Sequence, residues 1–431
     1  MIIFLIFTIL TSTALGIFLI HKVLPLSSKY LNLLSYQYLY QCVFLVVPGA
    51  IVILMGVRTD LALQPVSENT IYLTSYLVAW CVFAFPATIV ILDLIFKQKI
   101  YKLIVSYKKK ECVHRNNSSV TRRNIIIISF INTVLLLLFL IILPVIPIFH
   151  IGAGSEFIMN SRIESAFDLP SWVYGFRRIL IYFLPIFFLY VIALKNIMFV
   201  PKWILYLNGL NAVIILGYST EKAPLLYLII AVFFLKNNFN NYNLSFGKLI
   251  PIGFCIFGIL FLMFAFFYDN EINDALSLLM GRLFVAQVAG SYLSVEYYGS
   301  IAPFKYFDAI LFRIDALLGN VPTMQTSEEL VWYYYRELYD GNLWKNVNSF
   351  IIQGSWANFG LLGVILAPIW CASVIYFCCT YLFKREKTAS NLAIYSYSAI
   401  FMVSLSTNFN NFIYSSGFIL TILIWFFLRK I

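Results

Sequence analysis

The chain is poor in charged side chains: Asp, Glu, Lys and Arg make up only 11 % of its 431 residues, whereas a soluble domain contains about 25 %. Hydrophobic residues make up 61 %, and the mean hydropathy is +0.87. The apolar runs are continuous over ~20 residues, as membrane-spanning helices require, and the alternating pattern of a transmembrane barrel is absent. Composition therefore predicts an all-α, polytopic membrane protein.

Residues that many enzymes use for catalysis are also scarce. The chain has three histidines, and its seven cysteines have neither metal-binding nor disulfide spacing. The sequence contains no Gly-rich phosphate loop, no Gly-x-Ser-x-Gly and no His-Glu-x-x-His. An Asp-x-Asp pair that could hold a divalent cation on a nucleotide sugar is missing as well. We therefore expect no metal site and no cofactor.

The apolar runs predict about 11 membrane helices, with 10–12 allowed. They lie near 2–20, 37–57, 70–96, 124–149, 172–194, 203–219, 220–235, 249–268, 355–382, 390–407 and 412–428. The loop 97–123 contains nine Lys or Arg and one acid, so the positive-inside rule places it in the cytoplasm. Alternation from this loop puts the N-terminus outside and the C-terminus inside.

This topology accounts for the distribution of charge along the chain. It places 20 of the 30 basic residues inside and 16 of the 19 acids outside. The net charge of +11 then reflects orientation in the membrane, and nucleic acid is not an expected partner.

The longest break between spans is 269–353, which this topology places outside. It contains 10 acids, 5 basic residues and 15 aromatics, whereas a flexible linker is rich in Ser and Gly. We predict a large folded outer loop of amphipathic helices, with one helix between 272 and 295 lying over the bundle mouth. A re-entrant helix near 276–295 is the alternative. The predicted regions are thus a membrane bundle with a smaller outer loop at 150–171, the large outer loop, and a second bundle: 1–268, 269–353 and 354–431.

Several arginines lie on the predicted outer side, against the cytoplasmic bias of basic residues. A guanidinium group is always charged and binds phosphate through two parallel hydrogen bonds. A charge within a span costs ~2.5–3.5 kcal/mol on insertion scales. Arg177 and Arg178 are adjacent in the fifth span, so we expect one side chain to point into the bundle and the other to snorkel to the interface. Salt bridges to the outer acids are the alternative role for each. The candidates are Arg162, Arg177, Arg178, Arg282, Arg313 and Arg336.

Aromatic and amide side chains near these arginines suit a sugar, because rings pack on its C–H faces and amides bind its hydroxyls. The candidates are Trp332, Tyr334, Asn348 and Gln353, with Lys222 from the turn 218–224. We expect this turn to be recessed, since spans 6 and 7 are short; a neutralised Glu221–Lys222 pair is the alternative. Asn348 could instead cap the next helix, and the tyrosines could form an interfacial belt. Glycines at 354, 360 and 363 predict close packing of the ninth span against a neighbour.

Three segments resemble the O-antigen, or oligosaccharide repeat-unit, polymerases of the Wzy type. They are 219–226 (STEKAPLL), 281–287 (GRLFVAQ) and 348–363 (NSFIIQGSWANFGLLG). The layout of the whole chain, with two large outer loops, is also similar to that family. The resemblance implies a glycosyltransferase in the bacterial inner membrane, with its active site facing the periplasm.

The implied reaction polymerises repeat units that are linked to undecaprenyl diphosphate, for O-antigen of lipopolysaccharide or a related surface polysaccharide. The implied partners are these lipid-linked glycans, membrane lipid and a chain-length regulator protein. Arginines, first of all Arg282 and Arg178, would stabilise the departing diphosphate. A general base could assist the attacking hydroxyl; Glu156, Asp315, Glu164 and Asp168 are the candidates, and the sequence does not rank them.

Two other functions remain open. A lipid-linked oligosaccharide flippase would show an internal repeat and broken or charged positions in several spans. Instead, the charges concentrate at one end and one outer loop has 85 residues, which favours an enzyme. A ligase that moves finished glycan to lipid A core or to protein would have the same membrane layout, and the sequence does not separate it from a polymerase.

Overall fold

The computed structural model describes residues 1–24, 32–58, 60–113, 118–150, 155–166, 169–220, 222–239, 258, 276, 279–306, 324–341, 344, 346–402, 405, 409–413 and 415–431. Within these ranges the chain is helical and forms no strand beyond an isolated bridge between Tyr298 and Ala302. By length and composition, seven of the described helices could cross a membrane. These observations confirm the predicted all-α, polytopic membrane fold, while the exact number of spans stays a prediction.

The helices are numbered here in chain order. They are α1 (Ile2–Val23), α2 (Leu33–Leu54), α3 (Glu68–Phe96), α4 (Ile100–Lys109), α5 (Ser118–Ile142), α6 (Ser155–Ala166), α7 (Ser171–Lys195), α8 (Lys202–Gly217), α9 (Lys222–Phe239), α10 (Ala286–Tyr297), α11 (Thr326–Tyr334), α12 (Arg336–Asp340), α13 (Ile352–Lys384), α14 (Ala389–Tyr397) and α15 (Ser416–Lys430). Most predicted spans coincide with one of these helices. The predicted span 249–268 lies outside the described residues, apart from residue 258.

Two helix ends differ from the predicted spans for local reasons. The fourth span was expected to reach 149, but α5 ends at Ile142 and a 3-10 turn follows at Pro147–His150. Pro144 explains this end, because a proline disfavours helical backbone at the residue before it. The tenth span begins as α14 and continues as π-helical turns at Ser398–Met402.

Contacts divide the chain into two compact units whose boundaries do not follow the sequential regions predicted above. The first unit comprises Met1–Leu103, Asn243–Thr380 and Ser404–Ser415, and the second comprises Ile104–Tyr242, Tyr381–Val403 and Ser416–Ile431. Each unit combines segments that are far apart in sequence, because helices from both halves of the chain pack together. Each is described below by itself.

In the first unit, α1 packs against α3, and Tyr38 of α2 fills the space beside them. Its ring stacks on Phe85 with centroids 6.2 Å apart, and its hydroxyl donates to the Thr13 carbonyl at 3.5 Å. A Cβ atom on Gly16 would lie 2.0 Å from that hydroxyl. A glycine is therefore required where α1 approaches Tyr38.

The long helix α13 is broken near its first turns. Phe359 and Gly360 have non-helical backbone, and Gly360 has φ +58° and ψ −138°, a region that is open almost only to glycine. Carbonyl groups before the break accept from another segment: Ala357 from the Lys305 N–H at 2.8 Å and Asn358 from the Tyr306 N–H at 3.0 Å. Gly360 was expected to serve close helix packing, but it permits this backbone break instead.

Helix α10 is buried on all sides, unlike the amphipathic helix expected over the bundle mouth. Every residue from Val288 to Val295 is buried, and the helix packs against α2, α3 and α11. The Tyr292 hydroxyl hydrogen-bonds to Ser75 of α3 at 3.2 Å. Small residues in α10, such as Gly290 and Ser291, let it enter the first unit rather than cover it. A re-entrant path for this segment stays a prediction.

In the second unit, α7 packs against α8 and α14, and α8 also packs against α5. Two asparagines of α8 join it to α5: the Asn208 amide donates to the Ser129 hydroxyl at 2.8 Å, and the Asn211 amide donates to the Thr133 hydroxyl at 2.9 Å. Such interhelical hydrogen bonds hold helices together in a membrane. Lipid tails are as apolar as the helix surfaces, so the hydrophobic effect does not drive the helices together there.

Segments that the topology assigns to the same side contact each other. In the first unit, Ser67 in the loop after α2 hydrogen-bonds to Glu296 at the end of α10. In the second unit, Val113 donates its N–H to the Lys387 carbonyl at 2.9 Å, and the Thr121 hydroxyl donates to the Ile431 carbonyl at 2.9 Å. These contacts agree with the predicted arrangement of segments; the side of the membrane that each faces stays a prediction.

Candidate functional site

At the predicted outer end of the first unit, the loop after α2 contacts described residues of the region 269–353, which is called the cap here. The Glu296 carboxylate accepts from the N–H and the hydroxyl of Ser67, at 3.0 and 2.8 Å. The Tyr335 hydroxyl, between α11 and α12, donates to the Leu61 carbonyl. A 3-10 turn at Leu61–Leu63 rests on α10. The cap is thereby fixed to a short loop that the sequence did not single out.

Arg282 lies in a π-helical turn, Gly281–Val285, directly before α10. Such turns are frequent at functional sites. The side chain is exposed, and it makes no side-chain hydrogen bond or ion pair with any other residue that the structure describes. Asp60 lies near enough for the positive charge to lower its pKa. Of the predicted arginines, Arg282 is thus well placed to bind an anion.

Asp60 caps the Leu61–Leu63 turn by accepting the Ala62 N–H at 2.9 Å. Burial raises the pKa of its carboxyl, and the Ala62 hydrogen bond and the Arg282 charge offset part of that rise. Burial also raises the pKa of the neighbouring Tyr335 to about 12, with a contribution from the Asp60 charge. A carboxylate whose pKa is raised holds a proton more readily, as a general base requires.

Aromatic rings form a continuous cluster next to Asp60. The term aromatic cluster is used below for Tyr297, Tyr333, Tyr334, Tyr335 and Trp344. Tyr297 and Tyr333 have centroids 4.7 Å apart, Tyr333 and Tyr334 4.9 Å, and Tyr335 and Trp344 4.9 Å. The Tyr334 and Tyr335 ring centroids lie 6.4 Å apart, which connects the first two pairs to the third. The Tyr334 hydroxyl is buried and has no hydrogen-bond partner among the described residues. The cluster offers ring faces together with one polar atom that a ligand could satisfy.

An acid–base pair lies on the other side of Tyr297. The Glu329 carboxylate of α11 forms an ion pair with Lys305, and it accepts from the Tyr297 hydroxyl at 3.5 Å. Lys305 also donates to the Met324 carbonyl at 2.7 Å. Burial first, and then the Glu329 charge, raise the pKa of Tyr297 to about 12. The ion pair fixes α11 next to the end of α10.

The segment 346–351, directly before α13, lies against α10. Asn348 accepts the Gly290 N–H on its carbonyl at 3.0 Å, and its side chain is exposed. Gln353 is buried, and its Nε2 has no partner among the described residues. A Cβ on Gly290 would lie 3.1 Å from that Nε2 and 2.6 Å from the Asn348 carbonyl. Gly290 is what lets both predicted amides approach α10.

Trp332 and Arg336 are paired with each other. The Arg336 guanidinium lies 4.7 Å from the Trp332 ring and forms a 2.7 Å ion pair with Asp340 in the same helix. Arg336 is more than half exposed, so this pair contributes little to stability. The salt-bridge alternative therefore describes Arg336.

In the second unit, Arg162 of α6 holds the turn between α8 and α9. Its Nε donates to the Thr220 hydroxyl at 2.7 Å, and its Nη2 donates to the Thr220 carbonyl at 3.0 Å. Thr220 has φ +61°, and the Ile148 N–H also binds this turn, at the Tyr218 carbonyl. Residues just before and within the predicted outer loop 150–171 thus bind this turn, and its recess below the membrane surface stays a prediction. Arg162 stabilises that turn, which leaves less of its guanidinium for phosphate.

Arg177 and Arg178 are both half-buried in the first turns of α7. Arg177 lies 5.8 Å from the Tyr218 ring. One inward and one snorkelling side chain were expected, whereas the structure gives both an intermediate exposure. Half-buried guanidinium groups near a helix start remain suited to an anion.

The remaining candidates are only partly described. Glu156 and Lys222 lie in the first turns of α6 and α9, and only their backbone is described. Arg313, Asp315, Asp168 and Glu221 lie outside the described residues. Glu164 is exposed on α6.

Sequence reasoning missed Asp60, Glu296 and Glu329. Asp60 lies in a short interhelical loop, and nothing in the sequence indicated that this loop contacts a segment more than 200 residues later. Glu296 and Glu329 were counted among the outer acids without individual roles. Nearby aromatic residues were the available signal, because Glu296 directly precedes Tyr297 and Glu329 stands three positions before Trp332.

Together, the predicted outer end of the first unit combines an arginine without a described side-chain partner, a carboxylate with a raised pKa, and stacked rings. Guanidinium binds phosphate, a raised-pKa carboxylate accepts a proton, and rings pack on sugars. Comparisons with protein-family models, with curated proteins and with solved structures find no match for this chain. Function must therefore be argued from these residues.

Proposed function

We propose that the chain is an inner-membrane glycosyltransferase that polymerises undecaprenyl-diphosphate-linked oligosaccharide repeat units into O-antigen or a related surface polysaccharide. The observation that carries the proposal is Arg282, which is exposed, lacks a described side-chain partner and lies beside Asp60. Asp60 in turn adjoins Tyr335 of the aromatic cluster. Phosphate-binding, proton-accepting and sugar-binding groups are thus adjacent.

In the proposed reaction, a hydroxyl of the acceptor repeat unit attacks the anomeric carbon of the donor glycan. The new glycosidic bond forms as the bond to undecaprenyl diphosphate breaks, and the carrier leaves with the electron pair. The hydroxyl proton passes to a carboxylate. Negative charge develops on the departing diphosphate, where a fixed guanidinium stabilises the transition state.

Arg282 is assigned the diphosphate, and Asp60 joins Glu156 and Asp315 as a candidate general base. Burial favours Asp60, because the resulting rise in pKa makes its carboxylate a better proton acceptor. The aromatic cluster is assigned the sugars, and the exposed Asn348 side chain is assigned sugar hydroxyls. Arg178 remains a candidate in the second unit, since it is half-buried near the start of α7. A chain-length regulator protein is the proposed partner.

Deleting the gene and analysing surface polysaccharide on a gel tests this function. A strain without the polymerase should still flip and attach repeat units, so the long ladder should collapse to a single repeat unit. Loss of a flippase would remove even the single unit from the surface. Loss of a ligase would leave long polymer on the lipid carrier and none on its acceptor. Either of these last two patterns would reject the polymerase.

A further inference from the structure

A cavity of about 440 Å³ lies in the second unit, at the end that the topology places in the cytoplasm. Its walls come from the last turns of α7 and α15 and from the turn between α13 and α14. Known ligand sites have volumes of roughly 300–1,000 Å³. The cavity is therefore large enough for a small ligand, and it belongs to none of the residues assigned to glycosyl transfer.

Three basic side chains line this cavity: Lys384, Arg385 and Arg429. None of them forms an ion pair within the part of the chain that the structure describes. Glu386 is the one acid in the lining. The lining thus carries a net positive charge, which favours an anionic occupant.

Two of these cations are held in place by a pair of aromatic rings. The Arg385 guanidinium lies 4.5 Å from the Tyr381 ring and donates to its hydroxyl. The Arg429 guanidinium lies 5.1 Å from the Trp425 ring. The two rings meet edge to face at 6.4 Å. Stacked guanidiniums lose less conformational freedom when they bind, so the two arginines are arranged in advance for one ligand.

The floor of the cavity is polar and fixed. The Trp425 indole N–H donates to the Asn391 side-chain oxygen at 2.8 Å, and the Asn391 amide donates to the Glu386 carbonyl at 2.6 Å. The hydroxyls of Thr388 and Ser390 lie 3.1 Å apart. One of these hydroxyls donates to the other, so the pair leaves one O–H that can donate to a phosphate oxygen.

The turn between α13 and α14, which forms one wall, is held by hydrogen bonds to α4 and the loop after it. The Lys387 ammonium is buried and donates to the carbonyls of Lys108 and Lys110, at 3.1 Å each. The Val113 N–H donates to the Lys387 carbonyl at 2.9 Å. The basic loop after α4 therefore supports the turn that carries Lys384 and Arg385.

We infer that this cavity binds a phosphate group on the cytoplasmic side, with Arg385, Arg429 and Lys384 as its ligands. The group comes either from an anionic lipid headgroup or from a soluble phosphate compound. The opposing explanation is that the same charges only orient the chain and offset the negative ends of the helices that finish there.

The test uses the purified full-length protein and two probes at constant ionic strength. One probe is inorganic phosphate, exchanged for chloride in neutral detergent. The other is phosphatidylglycerol, added to nanodiscs of phosphatidylcholine. The readout in both is the midpoint of thermal unfolding. A saturable rise with inorganic phosphate identifies a soluble source, and a rise with phosphatidylglycerol alone identifies a headgroup; either supports the inference.

The double variant Arg385→Gln/Arg429→Gln should weaken the apparent affinity at least tenfold. The matched control is Lys195→Gln/Lys430→Gln, which removes two exposed charges from the same helix ends without touching the cavity. Equal shifts in the two double variants, or no shift with either probe in the unaltered protein, would overturn the inference. If the first variant does not fold, Lys384→Gln at an exposed position gives the same comparison.

Discussion

Arg282 lies beside Asp60 across 222 positions of sequence, close enough for the guanidinium to lower a carboxyl pKa that burial has raised. The two effects oppose each other, and burial is the larger. An anionic ligand at Arg282 would withdraw part of the positive charge from Asp60. Its pKa would then rise further, so binding of a diphosphate would make Asp60 a stronger base.

Replacing Arg282 is the most informative substitution at this site. Arg282→Ala should abolish polymer while the protein still inserts, because no other described group replaces its charge beside Asp60. Arg282→Lys should also be poor, since an ammonium group cannot form two parallel bonds to phosphate. Arg178→Ala is expected to abolish polymer as well. The measurement is the polysaccharide ladder from strains complemented with each variant.

Arg58→Ala is the matched control for Arg282→Ala. Arg58 lies in the same loop as Asp60 and forms a 3.7 Å ion pair with an exposed glutamate, so its loss should leave the ladder unchanged. If Arg282→Ala also leaves a normal ladder at equal protein level, Arg282 has only a structural role.

The aromatic cluster can be tested separately from its hydroxyl. Tyr334→Ala should shorten the polymer or stop it, and Tyr334→Phe should retain the ring but lose the buried hydroxyl that lacks a described partner. Trp332→Ala is expected to act in the same direction. It must be compared with Arg336→Ala, because the two side chains pack on each other. A full-length ladder with a lowered unfolding midpoint in all these variants would make the rings an interfacial anchor.

The fold was predictable because continuous apolar runs of ~20 residues identify membrane-spanning helices. α1, α3 and α7 each lie within a few residues of the predicted spans. The site was not predictable to the same degree, since its key neighbours are distant in sequence. The turn that carries Arg282 packs directly against α2, the helix that precedes Asp60, and a Cβ on Gly49 of α2 would lie 2.6 Å from the Phe284 carbonyl of that turn. A hydrophobic pattern does not single out such a small residue.

The same limit explains why the structural partners of single residues were not foreseen. Arg162 was assigned to phosphate, and in the structure it binds the Thr220 turn. Gly360 was assigned to helix packing, and its backbone conformation breaks α13. A sequence shows that an arginine or a glycine is present, but the partner that explains it comes from the tertiary structure.

Gly360→Ala should destabilise the protein, because its φ of +58° and ψ of −138° cost an alanine of order 1–3 kcal/mol. The new Cβ would also lie 2.8 Å from the Phe304 ring. The measurement is the thermal unfolding midpoint in detergent. Gly175→Ala is the control, since that helical glycine has open space around it and should be neutral or slightly stabilised. Equal midpoints for both variants would contradict the break as a structural requirement.

Reporter fusions test the orientation of the chain. Fusions after Lys110 and Arg385 should report the cytoplasm, and fusions after Ser155 and Asp315 should report the outside. Arg385 lines the cavity inferred to bind phosphate, Lys110 accepts a hydrogen bond from the turn beside that cavity, and the other two positions lie in the predicted outer loops. A cytoplasmic signal after Asp315 would remove Arg282 and the aromatic cluster from the side where the proposed substrates lie.

Reconstitution with a defined substrate tests the central claim most directly. The purified protein in proteoliposomes would receive undecaprenyl-diphosphate-linked repeat units in the presence of excess chelator. The account predicts a ladder of lipid-linked polymer, release of one undecaprenyl diphosphate for each bond formed, and neither product with Arg282→Ala. Repeat units that cross the bilayer without becoming longer, or polymerisation that requires an added divalent cation, would contradict it.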